Sequence, residues 1–270
     1  MKIIFIGDGH SNQRALANKI HNLTKLNIII VCTAKKNKKL QMRLIAKRVW
    51  QLIALLITGL KFRKSWFGTL SYFEEKYKSF PNLPILYCND VNDKVVHDTI
   101  NKIKPDLVLV SGTNLLKDNI INEISKYGKV MNLHTGISPY IKGGPNSTNW
   151  CLALREFWLI GNTVIWLDKG IDSGNIITSE RTPISGNESL LELQIKVMNH
   201  AHNLYLKCIK KFIDGEILPN VPQKNFQGKR LFLSKDWGLY QMVLALFNYY
   251  FYYYSNSRFL KKPKNIKLID

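Results

Sequence analysis

Asn132 and His134 stand two residues apart in the run Val130-Met131-Asn132-Leu133-His134. Residues two apart on a strand point to the same face, so an amide and an imidazole would reach one substrate atom together. A Pro- and Gly-rich loop follows, Ser138-Pro139-Tyr140-Ile141-Lys142-Gly143-Gly144-Pro145, and the polar turn Gly170-Ile171-Asp172-Ser173-Gly174 brings a carboxylate from downstream. Attack of an amine on a carbonyl needs a donor for the developing oxyanion, a group that manages the proton leaving the amine, and a carboxylate that fixes the state of the imidazole. Asn132 and His134 fit the donor role. Asp172 would orient His134 and, through a water, take the amine's proton. No nucleophilic serine or cysteine is required. Residue types alone leave a bland alternative open, because an Asn or His at a strand end often serves only to satisfy backbone groups.

Such a trio needs a sheet edge to meet on. Ile3 to Ile6, Leu26 to Cys32, Leu83 to Leu86, Leu107 to Val110, Val130 to His134 and Gly161 to Leu167 are apolar, β-rich runs, as in a parallel sheet covered on both faces. The first breaks at Gly7-Asp8-Gly9, after which Ser11 caps a helix through about Ile20. Strand, glycine turn and helix open a doubly wound α/β fold. The third glycine of GxGxxG is missing from Gly7-Asp8-Gly9-His10-Ser11-Asn12, which weakens a dinucleotide reading. Ser111-Gly112-Thr113-Asn114 stands at the C-terminal end of the fourth strand, where open α/β sheets place ligands. Further on, Ser185-Gly186-Asn187-Glu188 has capping-box spacing. Leu191, Ile195, Met198, His202, Tyr205, Cys208 and Phe212 then recur at helical spacing, so a long amphipathic helix should pack on the sheet. His200 and His202 project from different sides of that helix, make a poor metal pair and read as structural or exposed.

The 270 residues, 46% of them hydrophobic, suffice for one large domain or a domain with an appendage. A formal charge of +20 points to an anionic partner: a nucleotide, RNA, a polyanionic cofactor or an acidic membrane face. Cys32, Cys88, Cys151 and Cys208 are too far apart in sequence for a metal knuckle or a redox pair and read as small buried hydrophobes of a reducing cytosol. The first residues lack the apolar core and cleavage site of a signal peptide, which predicts a cytoplasmic chain. From Lys35 to Lys64 the chain is basic around an uncharged run, Val49 to Leu60, that is too short to span a bilayer. It fits a basic, Trp-bearing amphipathic helix on a membrane or polyanion, or an inserted helix whose apolar face covers the core or a subunit partner. Residues 216–270 carry the aromatic run Tyr249-Tyr250-Phe251-Tyr252-Tyr253-Tyr254 and a basic end, Lys261-Lys262-Pro263-Lys264. The run reads as a membrane-interface belt, as packing back on the domain, or as an oligomer contact, with a homodimer the expected assembly.

Four segments in order widen the view: Asp106 to Lys117, Asn132 to Gly143, Ile160 to Trp166 and Gly170 to Ile177. Together they closely resemble the folate-dependent formyltransferase family, which includes methionyl-tRNA formyltransferase and the sugar N-formyltransferases. The resemblance is close over Ile100 to Glu180 and extends more loosely over Met1 to Gly215. It implies an α/β, Rossmann-like catalytic domain with a mostly parallel sheet over residues 1–215, a basic helical insertion at about 35–75, and a short aromatic-rich C-terminal extension over 216–270. It implies 10-formyltetrahydrofolate as formyl donor, no metal, and direct attack of an acceptor amine on the formyl carbon. Asn132, His134 and Asp172 take the family's catalytic positions. The pterin is expected between Val110, Ser111, Gly112, Thr113, Leu115 and Leu116 on one side and Leu167, Gly170 and Ile171 on the other. The acceptor is expected to pass Ser11 and Asn12 and the loop residues Ser138, Pro139, Tyr140, Gly143, Gly144 and Pro145. Many relatives have Arg-Gly, small residues and a proline where this chain has Lys142-Gly143-Gly144-Pro145-Asn146-Ser147-Thr148-Asn149-Trp150, and the extra amides suit sugar hydroxyls. The favoured acceptor is a small nucleotide-linked amino sugar. Met-tRNA stays open because the basic insertion lies where the tRNA-formylating members carry a basic loop, and so does hydrolysis of the folate donor. Peripheral contact with an anionic membrane is a further expectation.

Overall fold

The computed structural model describes residues 1–33, 52–53, 56, 58, 60–144, 147–168, 170–253 and 266–269. Pro145, the basic run from Lys35 to Arg48, most of the apolar run from Val49 to Leu60, and the basic end Lys261 to Lys264 lie outside these residues, as do the expectations attached to them.

Strands β1 (Ile3–Gly7), β2 (Ile28–Cys32), β3 (Ile85–Cys88), β4 (Leu107–Ser111), β5 (Lys129–His134), β7 (Gly161–Trp166) and β8 (Ile176–Arg181) form one sheet in the order β3-β2-β1-β4-β5-β7-β8. The first five run parallel, and β7 and β8 are antiparallel additions. β1 and β4 are buried along their whole length, which is why they read as unbroken apolar runs. Sequence patterning misses β8, because it follows directly on a polar turn and ends in Ser179-Glu180-Arg181. A two-residue strand β6 (Lys142–Gly143) pairs with β9 (Leu231–Phe232) from the C-terminal extension.

Helices α1 (Ser11–Leu23), α2 (Lys61–Lys76) and α6 (Leu190–Ile213) pack against one another. α6 covers one face of the sheet, whereas α3 (Lys94–Ile103) and α4 (Asp118–Ser125) cover the other. α5 (Ser147–Ala153) and α7 (Leu239–Asn248) pack together at the β8 end. Buried Tyr205 on α6 reaches the sheet where β4 and β5 diverge. Its hydroxyl donates to the Met131 carbonyl at 2.5 Å and accepts from Val110 N at 3.0 Å. Burial pushes this phenol well above its usual range, so the hydroxyl stays a neutral donor.

The capping box of α6 sits one turn later than Ser185 and Glu188. Ser189 and Glu192 form it, with Glu192 N to Ser189 Oγ at 3.2 Å and Ser189 N to Glu192 Oε2 at 2.8 Å. The sequence repeats Ser-x-x-Glu in tandem, and the first copy is diverted inward. Buried Glu188 accepts from Ser185 N, Gly186 N, Tyr253 OH and Lys196 Nζ. Burial alone pushes its carboxyl up, but these donors outweigh burial and hold it well below the carboxylate range. A carboxyl depressed in the folded state stabilises fully above its unfolded value of about 4.3 and loses that contribution as pH falls through the folded value. Glu188→Gln is therefore expected to cost about 2 kcal/mol at pH 7 and much less in strong acid. Denaturant titrations of both proteins across the acid range read the difference.

Cys32 and Cys88, 56 residues apart, are register partners on β2 and β3, with sulfurs 3.1 Å apart. Sequence spacing hides this pair, because parallel strands join residues that are remote in the chain. Burial raises both thiols and keeps them protonated and weakly nucleophilic. His202 is fully buried beside Lys19, while His200 contacts Asn162 and Glu180. Both are structural, and among the described residues no group of three His, Cys, Asp or Glu could hold a metal. No described helix is long and apolar enough to cross a membrane.

Candidate active site

β5 delivers Asn132 and His134 to one edge, each backed by antiparallel β7 through the pairs Asn132 with Ile165 and His134 with Thr163. The carboxylate comes from the turn between β7 and β8. Asp172 takes a left-handed backbone there at φ 45°, a conformation short polar residues tolerate better than branched ones. A side chain on Gly174 would meet the Trp166 carbonyl oxygen at 1.7 Å, so only glycine lets the turn close against the end of β7. Gln223 ties the turn from beyond α6, donating from Nε2 to the carbonyls of Asp172 and Gly174, both at 2.7 Å.

His134 Nδ1 lies 3.2 Å from Asp172 Oδ2 and Nε2 lies 2.8 Å from the Ile141 carbonyl oxygen. Both ring nitrogens thus face oxygen acceptors, which fixes the plane of the ring. Asp172 Oδ2 also accepts from Gly143 N at 2.9 Å, and Oδ1 faces Asn132 Nδ2 at 3.4 Å. The Asn132 amide has two hydrogens, which leaves one for a carbonyl oxygen. Behind the histidine, Thr163 Oγ1 donates to the Gly136 carbonyl at 2.7 Å and accepts from Ser138 N at 2.9 Å, which pins the chain as it leaves β5. A Cβ at Gly136 would sit 2.5 Å from His134 Nε2.

The three residues line a cavity of about 940 Å³. It opens outside the carboxyl ends of β1 and β4, the point at which strand order reverses and open α/β sheets bind ligands. Val110, Ser111, Gly112, Thr113, Leu115 and Leu116 line it after β4, and Leu167, Gly170 and Ile171 face them across the crevice. Gly112 is in the left-handed region at φ 64°, with the Gln13 amide directly against it. Asn12, Gly143 and Gly144 also reach the cavity.

Ser11, Ser138, Pro139 and Tyr140 do not. The Ser11 hydroxyl donates to the Leu70 carbonyl of α2 at 2.6 Å, and Ser138 is turned inward toward Thr163. The Pro139 carbonyl accepts from Arg230 N, and the buried Tyr140 ring bonds through its hydroxyl to the Lys267 backbone. These residues shape the loop from its inner side.

Other walls were not evident from sequence. Phe62, Arg63 and Trp66 come from α2, Gln194 and Met198 from α6, Asn149 from α5, and Leu233, Trp237 and Met242 from the extension. The spacing of Phe62, Arg63 and Trp66 puts them on adjoining positions of one helix face, the signal that was available. Asn12 Oδ1 and Gln13 Oε1 are buried without a hydrogen-bond partner among the described residues. At the mouth, His10 pairs with Asp8 at 2.7 Å.

The family described as formyl transferase matches residues 1–209. The methionyl-tRNA formyltransferase of Clostridium beijerinckii is 29% identical over 144 residues, 53% of this chain and 44% of that protein. The chain spans about half the length of the curated relatives it matches. Among solved structures, a sugar N-formyltransferase from Shewanella sp. FDAARGOS_354 superposes with a TM-score of 0.56 at 12% identity, covering 92% of this chain and 88% of that one. An N-formyltransferase from Helicobacter canadensis, in complex with folinic acid and dTDP-3-aminofucose, gives 0.55 at 14% identity over 91% and 80%. The fold is shared with these structures, and the match over residues 1–209 places this chain in the formyl transferase family.

Proposed function

We propose that this chain transfers a formyl group from 10-formyltetrahydrofolate to the amine of a small nucleotide-linked amino sugar. The observation that carries the reading is one cavity lined by Asn132, His134 and Asp172 together with two unlike sets of residues. One set, Val110, Leu116, Leu167 and Ile171, is apolar. The other, Asn12, Arg63, Trp66, Asn149, Gln194 and Trp237, is polar and aromatic.

The apolar set fits a folate. Val110, Leu116, Leu167 and Ile171 give apolar walls, and Ser111, Gly112, Thr113 and Gly170 line the same cavity as small or polar residues suited to a polar ring edge. When bound, the cofactor supplies an electrophilic formyl carbon. Asn132 Nδ2 then offers its spare hydrogen to the carbonyl oxygen as charge develops there, which a water-poor site makes effective. His134, held by Asp172 and the Ile141 carbonyl, presents its ring beside that oxygen. Asp172 would accept, through a water, the proton that the acceptor amine sheds as its nitrogen bonds the formyl carbon; the bond from that carbon to folate N10 breaks, and a proton returned to N10 releases tetrahydrofolate. In the polar and aromatic set, Arg63 suits phosphate, as does His10 at the mouth, Trp66 and Trp237 offer faces for a base, and the unpartnered oxygen of Asn12 is an acceptor for hydroxyl or amine hydrogens. The folinic acid and dTDP-3-aminofucose of the Helicobacter canadensis protein's complex support both assignments.

The test is incubation with 10-formyltetrahydrofolate and a panel of nucleotide amino sugars and Met-tRNA, reading the mass gain of one formyl group on the acceptor. Modification of Met-tRNA alone, with steep salt dependence, would replace the sugar assignment, a reading that the +20 charge favours. Formate release without any acceptor would make the chain a hydrolase. Gln223→Ala, which leaves two carbonyls of the Asp172 turn unpaired, is expected to lower kcat about tenfold, equivalent to roughly 1.4 kcal/mol. Steady-state kinetics on the accepted sugar checks it.

A further inference from the structure

Helix α7 and the π-helical turn that continues it (Tyr249–Tyr253) carry apolar or aromatic side chains at every position but Gln241 and Asn248. Ala245, Tyr249 and Tyr253 are buried, and Asn248 donates to the carbonyls of Leu152 and Ala153. On the other side, Tyr240, Val243, Phe247 and Tyr250 are exposed. No residue from 239 to 253 is charged. A helix apolar all round is ordinarily covered all round, and a contiguous exposed apolar patch marks a contact surface. α2 extends the patch. Leu60 and Phe67 are exposed, and α2 touches both ends of the α7 segment: Lys61 Nζ bonds Tyr250 OH in the turn after it at 2.6 Å, and Phe62 stands edge-on to Trp237 just before it at 5.9 Å.

Charge decides what covers this face. Lys61, Arg63 and Lys64 are exposed along the same stretch of α2. The sequence has no Asp or Glu between Asp8 and Glu74, and none between Asp236 and Asp270. In a twofold contact a patch meets its own copy. Each copy's cations would then face the other's, with no carboxylate in either stretch to pair them. An anionic bilayer satisfies both halves of the face, because its headgroup boundary takes the apolar side chains while its surface potential holds the cations.

We propose that α2 and α7 together form a docking face for the surface of an anionic phospholipid bilayer. Arg63 and Trp66 are exposed on α2 and also line the cavity, so the docked protein works with the mouth of its site at the membrane plane. The proposal does not depend on which acceptor is used.

The full chain is sedimented with vesicles of phosphatidylcholine alone and with vesicles containing phosphatidylglycerol, at low and high salt, and its oligomeric state is followed by sedimentation velocity. Binding to the anionic vesicles is expected to exceed that to the neutral ones by about tenfold or more and to collapse as salt screens the cations. Phe67→Ser with Phe247→Ser is expected to lower it about tenfold, as is Lys61→Glu with Lys64→Glu. If the serine variant melts early, the charge variant, altered only at exposed positions, carries the comparison. No binding of the wild type to anionic vesicles at low salt overturns the proposal. So does binding that neither variant changes, or a dimer that Phe247→Ser dissociates.

Discussion

Replacing Asp172 with asparagine is expected to lower kcat for formyl transfer by about 10³-fold, within the range for a positioned acid–base group, with the melting temperature nearly unchanged. The amide keeps the size of the carboxylate and can still accept from Gly143 N, now 2.9 Å from Oδ2. It offers no carboxylate oxygen to the His134 Nδ1 that stands 3.2 Å away, and it cannot take a proton from an amine. Asp172→Ala should lose as much activity and some stability besides, since three donors lose their acceptor at once. His134→Ala should fall similarly. Single-turnover formyl transfer, with circular dichroism to show that the fold persists, separates chemistry from folding. Near wild-type turnover in the His134 or Asp172 variants would sink the assignment of the trio.

The largest loss of stability is expected from Tyr205→Ala. The ring is fully buried in the cluster that α6 makes with the sheet, and removing a large buried aromatic costs about 4 kcal/mol. For a chain of this size that is roughly 8–12 °C in melting temperature. Val110 N and the Met131 carbonyl would also lose their shared hydroxyl. Tyr205→Phe isolates that part, at an expected cost of about 1–2 kcal/mol. Thermal melts of the two variants distinguish packing from polar bonding. Because Val110 lines the crevice and Met131 precedes Asn132, the phenylalanine variant should also raise the KM for the folate more than it lowers kcat.

Local patterns carried most of the sheet. β1, β2, β4, β5 and β7 are runs whose apolar content or two-residue alternation is complete within a few residues, and Asn132 and His134 share a face for the same reason. Asp172 is legible as a carboxylate on a polar turn, but only the resemblance ties it to Asn132 and His134, because a turn residue shows no periodicity that points to a distant strand. Gln223, Trp237 and the walls of α2 lie beyond local reading, since each meets the site through contacts between remote parts of the chain. The capping box slipped by one turn because two identical signals stand in tandem and only tertiary partners choose between them. Ser138 and Tyr140 were assigned to the acceptor by their loop, but burial is a property of the packed chain, and the packed chain turns both inward.

The family match ends at residue 209, yet Gln223 clamps the Asp172 turn, β9 pairs with β6, and Trp237 and Met242 line the cavity. The extension thus shares in both parts of the cavity, steadying the turn that carries Asp172 and adding two walls to those that Asn12, Arg63, Asn149 and Gln194 supply from the matched residues. Divergence of the extension is therefore constrained unevenly: on the proposed reading, change at Trp237 or Met242 would alter which acceptor fits, whereas change at Gln223 would cost turnover whatever the acceptor.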